Sequence, residues 1–294
     1  MRVLITGAYG QLGKALVRNR NDKFSLMLPD RKDLDLSNEE SCKSFIKNNK
    51  PDWIINAGAY TNVEMAEKNN NEAYLVNTKA VEIFVEEISS YNGNILQVST
   101  DYVFNGNFSR PINPLSNVGP LNYYGYTKSE AEKIVLNYKN SKIIRTSWLY
   151  GPVGKNFFLT IFKLLKNKEI NTPINIVYDQ IGCPTSTDSL SNACWVSLEK
   201  NNSPDILQWT DLGSSSWYDF AYNIKIILQN RNLIERPRQI EPISSDEFLT
   251  QAKRPYYSIL DCGETYKSLN LKANHWTFEL NRVVNQFIKG KESI

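Results

Sequence analysis

Short apolar runs and amphipathic segments alternate along the first half of the chain. The runs are continuous and rich in β-branched residues, which is typical of strands buried on both faces of a parallel sheet. The segments between them have the apolar spacing of helices. We predict strands at Val3–Thr6, Phe24–Leu28, Trp53–Asn56, Ile95–Ser99 and Ile143–Thr146, and helices at Gln11–Asn19, Asn38–Lys47, Ala73–Ser89 and Tyr124–Tyr138.

The order of these elements predicts an α/β fold with a doubly wound parallel sheet. In such a sheet a ligand lies in the crevice at the carboxyl ends of the strands. The segments that follow predicted strands include residues 7–13, Ala57–Tyr60, Ser99–Asp101 and Thr146–Trp148. We therefore expect these four segments to meet in one cleft.

The first of these segments carries glycine at positions 7, 10 and 13, between a strand and a helix. Without side chains, its backbone can approach a pyrophosphate closely, and the N–H groups at the start of the helix face the negative charge. Dinucleotide binding requires this strand–turn–helix context. We therefore place Gly7, Gly10 and Gly13 in a cofactor site and predict a dinucleotide-binding (Rossmann) domain over residues 1–150.

The alternation becomes irregular after about residue 150. Glycine and proline interrupt short elements at Gly151-Pro152, at Pro173 and at Gly182. This composition predicts a smaller, mainly substrate-binding lid over residues 151–294. Ile206–Trp209 and the helix-like Trp217–Leu228 are apolar enough to return to the sheet.

Tyr124 and Lys128 are four residues apart in a predicted helix, so they share one of its faces. A phenol has a pKa of about 10 in water and needs help to exchange a proton near neutrality. An ammonium one turn away and the positive charge of an oxidised nicotinamide would lower that pKa. With the Thr100 hydroxyl bonding the substrate oxygen, these three residues would polarise a carbonyl while hydride arrives from the cofactor.

The end of the second predicted strand gives two signals about the cofactor. Asp30 stands where a carboxylate can bond the ribose 2′-OH of NADH, whereas Arg31 can bind the 2′-phosphate of NADPH. A guanidinium matches phosphate bidentately, and Asp30 can rotate away or pair with Arg31. We therefore predict that both cofactors are used and that NADPH is preferred.

Composition narrows the class of protein. The chain has 294 residues, 41% hydrophobic and 22% charged, which is enough for a full core. A net charge of +3 without an aromatic-laced basic patch argues against nucleic acid. We expect no leader peptide, because residues 1–6 have the pattern of a strand, and no apolar stretch reaches membrane-spanning length. Four scattered cysteines and one histidine favour reduced thiols and no metal site. We predict a cytoplasmic enzyme without a membrane partner.

Longer sequence motifs resemble those of a known family along essentially the whole chain. They begin at Gly7, Leu34, Ile55, Ser99 and Pro120 in the first half and at Arg145, Asn156, Asp179 and Arg254 in the second. Ser99-Thr-Asp-Tyr-Val-Phe104 and Arg145-Thr-Ser-Trp148 are the most specific of them. The chain resembles the extended short-chain dehydrogenase/reductase family, and within it the dTDP-4-dehydrorhamnose reductases.

The resemblance implies reduction of the C4 carbonyl of dTDP-4-dehydro-β-L-rhamnose by NADPH or NADH, a step in making a cell-surface polysaccharide precursor. It also implies three groups of site residues. The adenosine diphosphate part of the cofactor would contact Gly10, Gln11 and Leu12 at the pyrophosphate and Asp35 and Leu36 at the adenine. The path to the nicotinamide ribose would be lined by Ala57, Gly58, Ala59, Tyr60 and Lys128. The sugar nucleotide would contact Thr100, Asp101, Tyr124 and Trp148 at the sugar and Asn156 at the diphosphate.

Two positions depart from the family pattern. Gly58 stands where alanine is frequent, at little steric cost. Some members join two subunits through Mg²⁺ held by acidic side chains, one of them on the first helix, where Lys14-Ala15-Leu16 supplies no acid. The resemblance therefore allows a homodimer, and the missing acid argues against a metal bridge.

Other functions stay open at this point. A nucleotide-sugar dehydratase would need an Asp-Glu pair after the active-site threonine, and Tyr102 replaces the glutamate here, whereas an epimerase would keep the same motifs. A non-catalytic NADP-binding regulatory subunit, like that of methionine adenosyltransferase, would also keep them. The intact set of Thr100, Tyr124 and Lys128 favours an enzyme.

Overall fold

The computed structural model describes residues 1–167, 172–200 and 202–292. In chain order the strands are β1 (Arg2–Thr6), β2 (Ser25–Met27), β3 (Trp53–Asn56), β4 (Asn94–Thr100), β5 (Ser141–Thr146), β6 (Leu149–Tyr150), β7 (Ile174–Val177), β8 (Ile181–Gly182), β9 (Thr185–Ser186), β10 (Ile206–Gln208), β11 (Ser215–Ser216) and β12 (Ile240–Ile243). The helices are α1 (Gln11–Arg18), α2 (Glu39–Asn49), α3 (Val63–Ala66), α4 (Asn70–Tyr74), α5 (Ala80–Ser89), α6 (Tyr123–Leu136), α7 (Phe157–Lys166), α8 (Thr187–Glu199), α9 (Trp217–Asn230), α10 (Gly263–Leu269) and α11 (Trp276–Glu292).

Within the described residues, the central sheet has six strands in the order β10-β5-β4-β3-β1-β2, and all of its pairs are parallel. Thr6 lies opposite Asn56, and Thr100 lies opposite Thr146, so the carboxyl ends of the strands are level. Helices α2, α5 and α6 pack on one face, and α1 and α8 pack on the other. The predicted doubly wound sheet is confirmed.

The chain after residue 150 contributes to both parts of the molecule. Ile206 pairs with Ile143 as β10 joins the sheet, and the indole of Trp195 on α8 donates to the carbonyl of Leu16 on α1 at 3.0 Å. By contrast α9, the second segment expected to return to the sheet, packs against α7 and α11 in a separate core. One stretch of chain therefore completes the sheet while another builds the lid.

The predicted helix Ala73–Ser89 differs from the structure. It begins three residues earlier as α4 and passes through a π-helical turn, Leu75–Lys79, before α5. That turn presents Asn77, whose amide exchanges hydrogen bonds of 2.8 and 3.1 Å with the backbone of Tyr60 and donates to the Thr127 hydroxyl at 3.0 Å. The turn therefore ties the loop after β3 to α6, a constraint that local propensity does not reveal.

No helix among the described residues is long and apolar enough to cross a membrane.

Candidate active site

A continuous cleft crosses the carboxyl ends of the sheet strands. Two cavities of about 310 and 470 Å³ form it, and both are lined by Gly7, Gly10, Gly58 and Ala59. All site residues predicted from the sequence except Asn156 line one or both of them. The others are Asp30, Arg31, Asp35, Leu36 and Tyr60 in the smaller cavity, and Gln11, Leu12, Gly13, Ala57, Thr100, Asp101, Tyr124, Lys128 and Trp148 in the larger one.

The glycine loop is shaped by close backbone contacts. Gly7 has a φ of +62°, and a Cβ on it would lie 2.7 Å from the Cα of Gly58. A Cβ on Gly13 would lie 2.2 Å from the carbonyl oxygen of Gly7. Side chains have no room there, and the N-terminus of α1, capped by Gly10, faces the cleft. A loop of this form can seat a diphosphate against the first N–H groups of the helix.

Helix α6 presents Tyr124 and Lys128 to the cleft. Asn122 caps the helix by accepting a hydrogen bond from the backbone N–H of Gly125 at 2.8 Å. Glycine at 125 lets the helix approach the turn after β4, because a Cβ there would lie 2.2 Å from the carbonyl oxygen of Tyr102. This approach brings Tyr124 into the lining of the larger cavity, beside Thr100.

The Lys128 ammonium lies in the floor of the cleft. Its Nζ donates to the carbonyl oxygen of Val98 at 2.7 Å, and the residue is 3% exposed. Burial lowers the pKa of Lys128 to about 8, and the nearby carboxylate of Glu132 opposes this shift. The side chain is therefore a fixed cation at neutral pH whose charge is lost in mildly alkaline solution.

A chain of buried amides supports the carbonyl that holds this lysine. Gln97 Nε2 donates to the same Val98 oxygen at 2.8 Å, and Gln97 Oε1 accepts from Asn56 Nδ2 at 2.7 Å. Asn56 Oδ1 accepts from the Thr6 hydroxyl at 2.6 Å, and the Thr6 oxygen accepts from the backbone N–H of Gly58 at 2.9 Å. These satisfied groups form a rigid floor that links the two cavities.

Tyr124 is a neutral phenol in the protein alone. Desolvation raises its pKa above the usual value of 10.0, the nearby Thr100 hydroxyl lowers it, and Asp101 and Tyr102 raise it further. The lowering that the sequence predicts from Lys128 is not found in the protein alone, where the Lys128 ammonium donates to the Val98 carbonyl. A protonated phenol is the form that can donate a proton to a developing alkoxide.

The carboxyl group of Asp101 is buried next to Thr100. Its Oδ1 accepts from the Thr100 hydroxyl at 3.0 Å. Burial raises the pKa of Asp101 to about 6, and the nearby Ser258 and Thr100 hydroxyls oppose this shift. Its Oδ2 has no hydrogen-bond partner among the described residues. Since buried polar atoms are normally paired, Oδ2 is available to a ligand in the cleft.

Trp148 enters the cleft after β5 with a left-handed backbone, at a φ of +47°. Its indole stacks on Trp217, with ring centroids 3.6 Å apart and 6° between the planes. It also lies against Gly182, where a Cβ would be 2.5 Å from Trp148 Cε2. Trp148 therefore lines the larger cavity and packs on the core of the lid at the same time.

Asn156 is the predicted residue that does not line the cleft. Its Oδ1 accepts from the backbone N–H of Leu159 at 3.0 Å and caps α7. Its Nδ2 donates to the carbonyls of Gly151 and Val153 at 3.0 and 3.2 Å and to Gln11 Oε1 at 3.3 Å. Both polar atoms are engaged within the protein, so Asn156 holds the loop before α7, and its contact with a diphosphate stays a prediction.

The charged groups of the smaller cavity lie near the surface. Asp30 Oδ1 accepts from two backbone N–H groups of its own turn, at 2.7 and 3.1 Å. Arg31 has a side chain 73% exposed and lies 3.6 Å from the Asp35 carboxylate and 3.9 Å from that of Glu72. The pairing of Asp30 with Arg31 considered from the sequence is therefore replaced by two other acids.

Some cleft residues were missed by sequence reasoning, among them Glu72 and Lys155. Thr146, by contrast, belongs to a segment that the sequence placed in the cleft, and it ends β5 directly opposite Thr100. Glu72 lies on a short helix and Lys155 in a lid loop. Only the tertiary structure brings those two to the cleft.

A magnesium bridge does not fit the first helix. Gln11–Arg18 contains no acidic side chain, and the nearby Asp188 accepts from Arg18, from Asn19 at 2.9 Å and from Gln286 at 2.5 Å. Within residues 1–167, 172–200 and 202–292, no group of three or more His, Cys, Asp or Glu is placed to hold a metal.

Comparison with known proteins assigns the chain to a family. The model of the RmlD substrate binding domain matches residues 1–289. The chain belongs to the RmlD substrate binding domain family. It is 35% identical to the dTDP-4-dehydrorhamnose reductase of Aggregatibacter actinomycetemcomitans over 96% of this chain and 98% of that protein.

Solved structures agree with this assignment. A dTDP-4-dehydrorhamnose reductase from Clostridium acetobutylicum is 32% identical with a TM-score of 0.89, covering 97% of this chain and 99% of that one. The same enzyme from Bacillus anthracis, solved in complex with NADP, is 32% identical with a TM-score of 0.87 over 97% and 99%. The family resemblance predicted from the sequence is confirmed.

Proposed function

We propose that this RmlD-family protein is a dTDP-4-dehydrorhamnose reductase, which transfers hydride from NADPH to the C4 carbonyl of dTDP-4-dehydro-β-L-rhamnose and gives dTDP-β-L-rhamnose. The observation that carries the proposal is the cleft in which the Tyr124 phenol, the Thr100 hydroxyl and the Lys128 ammonium lie together with the glycine loop. Relatives 35% and 32% identical over nearly the full chain bear that enzyme name.

The residues present fit a nicotinamide dinucleotide. The cradle that side chains at Gly7 and Gly13 would fill faces the first N–H groups of α1, where Gly10, Gln11 and Leu12 would hold the pyrophosphate. The smaller cavity would hold the adenosine, bordered by Asp35 and Leu36, and the segment from Ala57 to Tyr60 would line the path to the nicotinamide. When bound, NADPH supplies the hydride, and the exposed Arg31 is suited to its 2′-phosphate while NADH remains a second cofactor.

Tyr124 acts as the proton donor. As the C4 carbonyl becomes an alkoxide, its oxygen takes the phenolic proton, and the Thr100 hydroxyl keeps that oxygen beside the phenol. Lys128 bonds the nicotinamide ribose, and in the complex its charge together with that of the oxidised nicotinamide stabilises the phenolate that remains, an effect that the protein alone does not show. Asp101, through its unpartnered Oδ2, and the Trp148 indole hold the sugar.

The two parts of the chain divide the binding. Residues 1–150 bind the dinucleotide, and residues 151–294 mainly bind the sugar nucleotide. The stack of Trp148 on Trp217 and the position of Ser258 near Asp101 support this division, because both join the sugar side of the cleft to the lid. Helix α8 and strand β10 are the exceptions that complete the sheet.

The location and assembly follow from the same proposal. The four cysteines are buried and unbridged, which fits the reducing cytoplasm where the dinucleotide and sugar nucleotides are available. Cell fractionation tests this location. A homodimer, formed without a metal bridge, is tested by the mass of the protein in solution with and without a chelator.

Dehydration is the weaker alternative. A dehydratase would need a carboxylate at position 102 to move a proton. Burial raises the pKa of Tyr102 to about 12, so this phenol stays protonated at neutral pH. Tyr102 instead packs edge-on against Tyr124, with ring centroids 5.8 Å apart.

The experiment is a turnover assay with purified protein, dTDP-4-dehydro-β-L-rhamnose and NADPH. We expect one NADPH oxidised for each dTDP-β-L-rhamnose formed. Isomerised sugar nucleotide without NADPH oxidation would indicate an epimerase. Tight NADPH binding without any product would indicate a regulatory subunit, and either result would contradict the proposed reduction.

A further inference from the structure

Lys155 is an exposed side chain that lines the larger cavity of the cleft. It lies in the loop of residues 151–155, between β6 and α7. It forms no hydrogen bond or ion pair with any residue in the described ranges. Lys155 has no part in the proposed proton transfer, and no motif in the sequence indicates a role for it.

The loop that carries Lys155 is fastened to the first turn of α1. Asn156 Nδ2 donates to Gln11 Oε1 at 3.3 Å, and Gln11 Nε2 donates to the carbonyl of Leu149 at 3.3 Å. Gly154 has a φ of +86°, and a Cβ there would lie 3.1 Å from the Gln11 Cβ. These contacts place Lys155 beside the glycine loop through fixed backbone, although its own side chain is free to move.

The charges of the cleft show what Lys155 can do. The other described cations that line it are Lys128, whose ammonium is directed to Val98, and Arg31, which lies near two carboxylates. Lys155 is therefore the cleft cation without a protein partner. Its loop also packs against Gln11, in the first turn of the helix that follows the glycine loop.

A nucleotide diphosphate brings at least two negative charges to this place. The N-terminus of α1 offers the equivalent of roughly half a positive charge, which leaves most of that charge unbalanced. A lysine on a flexible four-carbon stem is a compact cation that can reach a phosphate oxygen. We propose that Lys155 binds the diphosphate of a nucleotide ligand across the mouth of the cleft, an inference that rests on the proposed function.

Both ligands of that function contain a diphosphate, so the test titrates them separately. The dissociation constants of NADPH alone and of dTDP alone are measured by calorimetry for the wild type and for Lys155→Met, Lys155→Arg and Lys163→Met. Lys163 is an exposed lysine of α7 that does not line the cleft, so its variant has the same net charge as Lys155→Met. The thermal unfolding midpoints confirm that each variant is folded.

We expect Lys155→Met to weaken one or both ligands about five- to tenfold at low salt and to reduce the salt dependence of that binding. Lys155→Arg should keep the affinity, and Lys163→Met should match the wild type. A loss confined to NADPH assigns Lys155 to the cofactor diphosphate, and a loss confined to dTDP assigns it to the sugar nucleotide.

Affinities within about twofold of wild type for both ligands, or an equal loss in Lys163→Met, would overturn the proposal. These outcomes are independent of the reaction. A wild-type protein that binds both ligands but gives no product contradicts the proposed function and leaves the role of Lys155 intact.

Discussion

The two ends of the cleft hold their charges in opposite ways. At the catalytic end, Lys128 and Asp101 are 3% and 1% exposed, and burial moves both pKa values towards neutrality. At the adenosine end, the Arg31 side chain is 73% exposed and lies 3.6 and 3.9 Å from its acidic neighbours. Exposed ion pairs contribute about 0.2–1 kcal/mol, whereas buried groups interact strongly. Substitutions should therefore alter the chemical step at one end and only the cofactor preference at the other.

The largest effect should come from Tyr124→Phe, which removes the proton donor and keeps the ring. We expect kcat to fall about 10²–10⁴-fold, the usual contribution of general acid catalysis, with NADPH affinity unchanged. Tyr126→Phe on the same helix is the matched control, because Tyr126 is 42% exposed and lies outside the cleft lining. Steady-state kinetics measures both. A near-wild-type kcat in Tyr124→Phe would contradict the assignment of Tyr124 as the proton donor.

The pH profile should show the buried cation. Because the pKa of Lys128 is about 8, kcat/KM should decline above about pH 8 and approach a tenfold loss per pH unit. In Lys128→Arg, whose guanidinium stays charged, this alkaline limb should be absent whatever the absolute rate.

The lowered pKa of Lys128 affects the stability of the protein in the opposite direction to its activity as the pH rises. The pKa of Lys128 in the folded protein lies below the usual value of 10.5, so between these two pH values the unfolded chain binds more protons and the Lys128 contribution to stability rises with pH. Loss of activity in this window should therefore occur without unfolding. A flat kcat/KM profile up to about pH 10 would contradict the role of the Lys128 charge.

Trp148 lies where the cleft meets the lid, so its replacement should affect both binding and stability. For Trp148→Ala we expect the KM for the sugar nucleotide to rise about tenfold and the free energy of unfolding to fall by about 1–3 kcal/mol, less than for a fully buried tryptophan. Trp217→Ala removes the stacking partner, which does not line the cleft. If both variants lose stability and neither changes KM, Trp148 only packs.

The smallest effect should appear at the adenosine end. Arg31→Ala should lower kcat/KM for NADPH about three- to fivefold and leave NADH nearly unchanged, since an exposed cation is screened by solvent. Glu72→Gln should shift the ratio towards NADPH by removing a competing carboxylate. Lys32→Ala, an exposed neighbour outside the cleft lining, is the control. An unchanged cofactor ratio in Arg31→Ala would refute the role of Arg31.

Sequence-based prediction succeeded where the signal is local. The strand at Val3–Thr6 and the helix that begins at Gln11 were correct within a few residues because apolar periodicity and turn residues act over short distances. The prediction of a helix at Ala73–Ser89 missed the π-helical turn within it, which presents Asn77 to groups on α6 and the loop after β3. A contact between residues 50 positions apart leaves no periodic trace along the chain.

By itself the sequence determined the sheet, the glycine loop and the placement of Tyr124 and Lys128 on one helical face, since each depends on residues within one or two turns or on burial of a strand. Tertiary structure decided the rest. The upward pKa shift of Tyr124, the capping role of Asn156 and the position of Lys155 all depend on how deeply groups are buried and on contacts such as that between Gln11 and Asn156, which are 145 residues apart. Desolvation and long-range hydrogen bonds arise only when the distant segments pack together.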